Sequence, residues 1–212
     1  MEAPYGLLVA GMNYAAVAAD EFNEWYDTEH VPERLRVKGF INAQRWLGAE
    51  DPKISIATYD LDSIDVLASP AYRSIAGVNL SPWSKRVIGR IERICRFEAV
   101  QTVPGHLAAP ANAEGMLMYA MNVAPEADAE YNAWYNEEHL PALAAVPGCL
   151  CARRFQMSGG THKYVSFYHL NTPALQASAA WKKAAGTPWS EKMRPHFRDP
   201  LRIVLRRYVR NP

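Results

Sequence analysis

Several features that would announce a function are missing from this sequence. Charge of either sign is not in excess: 23 Lys and Arg stand against 22 Asp and Glu, a net of +1. The charges are interspersed, so no basic stripe points to nucleic acid as a partner. Long apolar runs are lacking too, and no membrane span is expected. Met1-Glu-Ala-Pro has neither the basic start nor the apolar core of a secretory leader. Cysteine is scarce. Three residues, an odd number, do not make a disulfide framework and fit a reducing cytoplasm. No phosphate-cradling glycine loop, nucleotide fingerprint or Gly-x-Ser-x-Gly elbow occurs, which disfavours dinucleotide-dependent and serine-hydrolase chemistry. Cys149-Leu-Cys151 would put two thiols on one strand face, but no further ligand cluster supports a metal. His106, His162, His169 and His196 carry no assignable role.

What is present is a repeat. Glu21-Phe-Asn-Glu-Trp-Tyr-Asp-Thr-Glu-His30-Val-Pro32 returns as Glu130-Tyr-Asn-Ala-Trp-Tyr-Asn-Glu-Glu-His139-Leu-Pro141, at an offset of 139 − 30 = 109 residues. Gly39 and Gly148, Arg45 and Arg154, Tyr59 and Tyr168, and Leu61 and Leu170 keep that offset, and Pro82-Trp83-Ser84 matches Pro188-Trp189-Ser190 after a three-residue gap. The match spans most of both halves, so it predicts a duplicated domain. Its period is far too long for a solenoid.

Phe22, Trp25, Tyr26, Glu29 and His30 fall at i, i+3, i+4, i+7 and i+8, one face of a helix. Tyr131, Trp134, Tyr135, Glu138 and His139 repeat the stripe. Asp20 and Asp128 are candidate N-caps. Pro32 and Pro141 are expected to end the helices, which would leave each histidine in a last turn. Strands are expected at Tyr5 to Met12, Ile41 to Leu47, Ile54 to Leu61 and Arg90 to Val100, with a second helix from Ser63 towards Ala76 that Pro70 can interrupt and a short one at Ser81. The second half repeats the order, with strands at Met116 to Val123, Leu150 to Met157, Lys163 to Leu170 and Leu201 to Val209. Its helices are expected at Asp128 to His139 and Pro173 to Ala185. The order β-α-β-β-α-β is the split ferredoxin-like unit.

The domain reading is a first α+β unit over 1–103, a Pro- and Ala-rich linker over 104–113 and a second unit over 114–212. Each four-stranded sheet has helices for one face only, and its other face needs cover. Two sheets in one chain can cover each other, which predicts an α+β fold with an intramolecular barrel.

The run Asn-x-Trp-Tyr-x-x-Glu-His-x-Pro, followed by Gly and an Arg-bearing strand, resembles the EthD-like branch of the dimeric α+β barrel superfamily. The resemblance covers both halves. Its members are usually homodimers of one such unit, and this chain is similar to a fused pair, whose further pairing into a homodimer is open. The superfamily includes cofactor-free monooxygenases, isomerases, polyketide cyclases, haem-handling enzymes and accessory proteins of ether degradation. The resemblance implies a fold more firmly than a reaction.

The candidate catalytic residues are His30 and His139, as general acid/base groups at a pocket between helix and sheet. A last-turn position would favour the charged imidazole through the negative end of the helix, and the plain alternative is a histidine that caps its own helix. The pair Glu-His recurs although positions taken as surface differ, Glu33 against Ala142 and Arg34 against Leu143. Glu29 and Glu138 would orient the imidazole or bind a substrate hydroxyl. Trp25, Tyr26, Trp134 and Tyr135 are core or pocket wall. Arg45 and Arg154 would either face the barrel interior and clamp an anion or reach solvent at an edge. Tyr59 and Tyr168 would line the barrel or pack the core. These residues predict a cytoplasmic, cofactor-independent enzyme acting on a small apolar or aromatic oxygenated substrate by isomerisation, elimination, cyclisation or oxygenation. The competing expectation is a non-catalytic binding or accessory protein. Haem held by a histidine is a third.

Overall fold

The computed structural model describes residues 3–210. The chain divides into two compact units, residues 1–100 with 208–212, and residues 101–207. Both combine helices with an antiparallel sheet.

The first unit opens with β1 (Gly6–Asn13), which pairs with β3 (Ile54–Leu61) on one side and β4 (Glu92–Val103) on the other. β2 (Gln44–Gly48) extends the sheet from β3, giving the order β4-β1-β3-β2. The helices lie on one face: α1 (Ala19–Trp25), a π-helical segment (Tyr26–His30), α2 (Val31–Leu35), α3 (Pro70–Arg73) and α4 (Pro82–Ile88). Phe22, Trp25 and Tyr26 are fully buried against Leu8, Tyr59 and Leu61 of the sheet. Tyr14 stacks on Phe22 with ring centroids 4.0 Å apart. Aromatic burial of this kind stabilises by roughly 1.5–3 kcal/mol per side chain, so this stripe is what holds the helix down.

The second unit runs in the same order. β5 (Gly115–Val123) pairs with β7 (Tyr164–Leu170) and β8 (Phe197–Arg207), and β6 (Cys149–Met157) pairs with β7, giving β8-β5-β7-β6. Its helices are α5 (Asp128–Trp134), a π segment (Tyr135–His139), α6 (Leu140–Ala144), α7 (Ala179–Ala185) and α8 (Pro188–Met193). Tyr131, Trp134, Tyr135 and Leu143 form its core with Tyr168 and Leu170.

Four local expectations are corrected. Pro32 and Pro141 do not end the signature helices, which run on to Leu35 and Ala144. Each proline sits in the first turn of the following α segment, where its missing N–H costs little. Asp20 and Asp128 are not caps. The N-cap positions are Ala18 and Ala127, neither of which makes a side-chain cap, and the aspartates lie inside the first turn. The helix expected over Pro173 to Ala185 is broken, as the first unit's second helix is at Pro70: a 3₁₀ turn (Ile64–Ala68, Pro173–Ala177) precedes a short α-helix that Ser69 or Ser178 caps. Finally, Cys149 lies opposite Leu170 and Cys151 opposite His169, because a bulge interrupts the register. Adjacent partners on β7 point to opposite faces, so the thiols do not share one.

Candidate functional site

The π segments place the histidines. In each, one backbone bond spans five residues: the Val31 N–H reaches the Tyr26 carbonyl, and the Leu140 N–H reaches the Tyr135 carbonyl. Residues five apart point about 140° apart on an α-helix. The wider π turn reduces that angle and draws the imidazole back onto the aromatic face. The His30 ring accordingly lies 4.4 Å from Trp25 and 5.2 Å from Tyr26, centroid to centroid. His139 lies 4.4 Å from Trp134 and 5.0 Å from Tyr135. Single π turns of this kind are frequent at functional sites.

Because His30 is inside a continuous helix, the expected help from a helix C-terminus disappears. Burial is the largest influence, and it holds the His30 pKa well below the ordinary imidazole value, with Arg34 and Arg45 adding to the effect. Burial also lowers His139, to about 4, assisted by Arg194 and Arg154. Both rings are therefore neutral near pH 7. The Nδ1 atoms of His30 and His139 are buried and have no hydrogen-bond partner.

A cavity of about 250 Å³ lies between the sheet and helices of the first unit, lined by His30, Tyr59, Tyr72, Arg34, Leu8 and Met12 among others. The Tyr59 hydroxyl is buried there beside the Tyr26 phenol, with no hydrogen bond of ordinary distance and angle. Tyr26 interacts with it electrostatically, but the Tyr26 hydroxyl is directed at the Met12 Sδ, 3.9 Å away. Burial raises the Tyr59 pKa well above the usual phenol value, so the hydroxyl keeps its proton. The second unit has an equivalent cavity of about 250 Å³, lined by His139, Tyr168, Trp181, Tyr119, Arg194 and Arg202 among others. There the Tyr168 hydroxyl is 2.9 Å from that of Tyr135, so the two phenols satisfy each other.

The carboxylates beside the histidines accept hydrogen bonds from hydroxyls of a neighbouring helix. Glu29 Oε1 accepts from the Ser81 hydroxyl at 2.5 Å and from the Ser84 hydroxyl at 3.0 Å, and Trp25 Nε1 donates to Ser84 Oγ at 3.0 Å. Glu138 accepts from the Thr187 hydroxyl at 2.5 Å, and Trp134 Nε1 donates to Ser190 Oγ at 3.2 Å. These networks tie the π segment to α4 in one unit and α8 in the other. They hold the tryptophan on which the imidazole rests.

Arg45 faces neither a barrel interior nor an edge. It points into the helix-covered side of its own sheet, pairs with Asp27 Oδ1 at 2.7 Å and donates to Asn23 Oδ1 at 2.7 Å. Its guanidinium lies 4.4 Å from the Tyr26 ring and 3.9 Å from the Tyr208 ring. Arg154 is held by two amides instead, Asn136 Oδ1 at 2.7 Å and Asn132 Oδ1 at 2.8 Å, and lies 4.6 Å from the Tyr135 ring. These contacts are to the chain itself and brace the helix from beneath.

Arg34 is not the surface position that the sequence suggests. It is 4% exposed and lines the His30 cavity. Four residues beyond His30, it would have been assigned to the same face had the helix not been ended at Pro32. Leu143 takes the equivalent position and is 2% exposed. A wider groove of about 700 Å³ runs along α1, lined by Asp20, Glu21, Glu24 and Asp27 among others. Glu21 is paired with Arg86 and Arg90, Glu24 with Arg210 and Asp27 with Arg45, while Trp83 Nε1 on the groove wall is buried without a hydrogen-bond partner.

Among the described residues no three His, Cys, Asp or Glu side chains are grouped to hold a metal ion, and no helix is long and apolar enough to cross a membrane.

No protein-family model matches the chain, and no curated protein is similar to it in sequence. Solved structures are similar in fold. A protein of Fusobacterium nucleatum provisionally described as a monooxygenase is 13% identical, with a TM-score of 0.64 over 98% of this chain and 94% of its own. An anthrone oxidase-like protein is 12% identical, with a TM-score of 0.62 over 96% and 92%. A protein provisionally described as a chlorite dismutase is 13% identical, with a TM-score of 0.65 over 97% and 95%. These neighbours belong to the dimeric α+β barrel superfamily. At such identities they speak to the fold alone.

Proposed function

We propose that this chain is a small-molecule enzyme that needs no organic cofactor, with the cavity beside His30 as its principal site. The observation that carries the reading is the buried, unpartnered Nδ1 of His30, a residue that lines one cavity together with Tyr59. An unsatisfied buried polar group costs roughly 1–3 kcal/mol, and a ligand oxygen in the cavity would remove that cost.

Within this reading His30, neutral at pH 7, takes a proton from a carbon next to a carbonyl or phenol. The electron pair moves onto the ligand oxygen, which Tyr59 stabilises as a hydrogen-bond donor. Return of the proton at another carbon gives isomerisation, and departure of a leaving group gives elimination. With dioxygen as co-reactant, the carbanion adds O₂ to form a hydroperoxide. The description of one structural neighbour suggests anthrone as a probe. Its benzylic carbanion would become the hydroperoxide, which loses water to give anthraquinone. We place the chain in the EthD-like branch on its sequence motif and read its two units as a ferredoxin-like duplication.

The test is exchange of the benzylic protons of anthrone with deuterated solvent, and anthraquinone formation under oxygen, in the wild type and in a His30→Gln/His139→Gln variant. Loss of about 100-fold or more in both supports the assignment; unchanged rates in the folded variant reject it. One observation favours a second reading, binding without turnover. The carboxylates that would orient the imidazoles, Glu29 and Glu138, are instead held by hydroxyls of the next helix. On that reading the double variant weakens ligand binding and no rate is found in the wild type.

A further inference from the structure

The two cavities share a histidine and a tyrosine but differ in the burial of their arginines. The first is lined by Arg34, Arg93 and Arg96 and by no aspartate or glutamate. Arg93 and Arg96 belong to β4, at its exposed positions, whereas Arg34 is almost wholly buried. Arg34 is also oriented: one nitrogen is paired with Glu33 Oε2 at 2.8 Å, and another donates to the Ile75 carbonyl at 3.2 Å. A guanidinium has five N–H groups, and these two bonds leave others for a ligand. In the second cavity Leu143 replaces Arg34, and the arginines that remain, Arg194 and Arg202, are exposed.

We propose that the first cavity selects an anionic ligand, a small aromatic carboxylate or phenolate, with Arg34 as the residue that sets this preference, and that the second cavity does not share it. This rests on the functional reading above and narrows its substrate class. A carboxylate on Arg34 makes charge-assisted hydrogen bonds in a low-dielectric hollow. A neutral amide of the same shape accepts from the same N–H groups more weakly. The apolar ring of either ligand would lie against Leu8, Met12 and Tyr72, with its oxygen within the reach of Tyr59 and His30 as cavity neighbours. Replacing Arg34 by the leucine of the second unit would remove the preference while keeping the apolar wall.

The experiment is a titration of the full chain, labelled with ¹⁵N in its histidine rings, with benzoate and with benzamide at pH 7. Shifts of the His30 and His139 ring nitrogens report the two cavities separately. Benzoate is expected to bind at His30 at least about tenfold more tightly than benzamide, a margin typical of hydrogen bonds to a charged group. In Arg34→Leu the two affinities should converge, with benzamide changed by no more than about twofold. Arg34→Gln, which keeps a polar side chain, should give the same convergence, and benzamide binding retained at His30 shows that the first unit of either variant is folded. Equal affinities in the wild type, or a preference that survives both variants, would overturn the inference and leave the site reading standing. If neither probe moves His30 in the wild type, the site reading itself fails.

Discussion

At the scale of single residues, the neutral imidazole is the decisive feature. A histidine whose pKa is depressed on folding binds fewer protons in the native state than in the unfolded one. Stability is therefore fully present above the unfolded value of about 6.5 and falls as pH drops below it. For His139 the window closes near its folded pKa, about 4. Across that window its share of the loss is on the order of 3 kcal/mol. Urea unfolding at pH 7 and pH 5 should show it, and His139→Leu should flatten the dependence. A slope unchanged by the substitution would count against a buried neutral ring. The aromatic stripe and the two histidines were legible from helical spacing alone. Their charge state was not, because it depends on which arginines the fold brings near. Arg45 was recognised as unusual, yet its partner Asp27 comes from another element, 18 residues away in sequence. Strand alternation tells which residues share a face but not what covers that face.

At the scale of elements, the signature helix works as a clamped lever. Its π turn aims the histidine, and the carboxylate before it grips the next helix. Glu29→Ala leaves the hydroxyls of Ser81 and Ser84 and the indole of Trp25 without their anchor. It should lower stability by about 1–3 kcal/mol in urea unfolding; a change within ±0.5 kcal/mol would mean the network is ornamental. Pro32→Ala restores an N–H that can bond four residues back and removes one reason for the wide turn. We expect this variant to fold with equal or greater stability but to weaken benzoate binding at His30, because the ring swings away from Trp25. Unchanged binding would show that the π turn does not depend on the proline. The rule that a proline closes a helix misread this element, since Val31 keeps helical dihedrals of −67° and −47° before Pro32. The error also hid Arg34, which lies beyond the supposed stop.

At the scale of the whole molecule, the 109-residue offset was visible in sequence, and both units run through the same order of strands and helices. The strands at Ile54–Leu61 and Tyr164–Leu170 lie where alternation and turn residues put them, to within a residue. Which cavity matters more was not legible, since Leu143, Tyr119 and Arg194 acquire meaning only once they line a hollow. Two self-contained cavities predict independent sites. His30→Gln and His139→Gln, made singly, should leave anthrone-exchange rates that sum to the wild-type rate. A single substitution that silences both would show that the sites are coupled.

The account depends most on His30 being an enclosed, uncharged base. A pH titration of the histidine ring nitrogens by ¹⁵N NMR, with no ligand present, tests this directly. His30 should remain neutral at pH 7 and titrate well below the ordinary imidazole midpoint of about 6.5. A His30 that titrates near 6.5, as a ring open to water does, would contradict it.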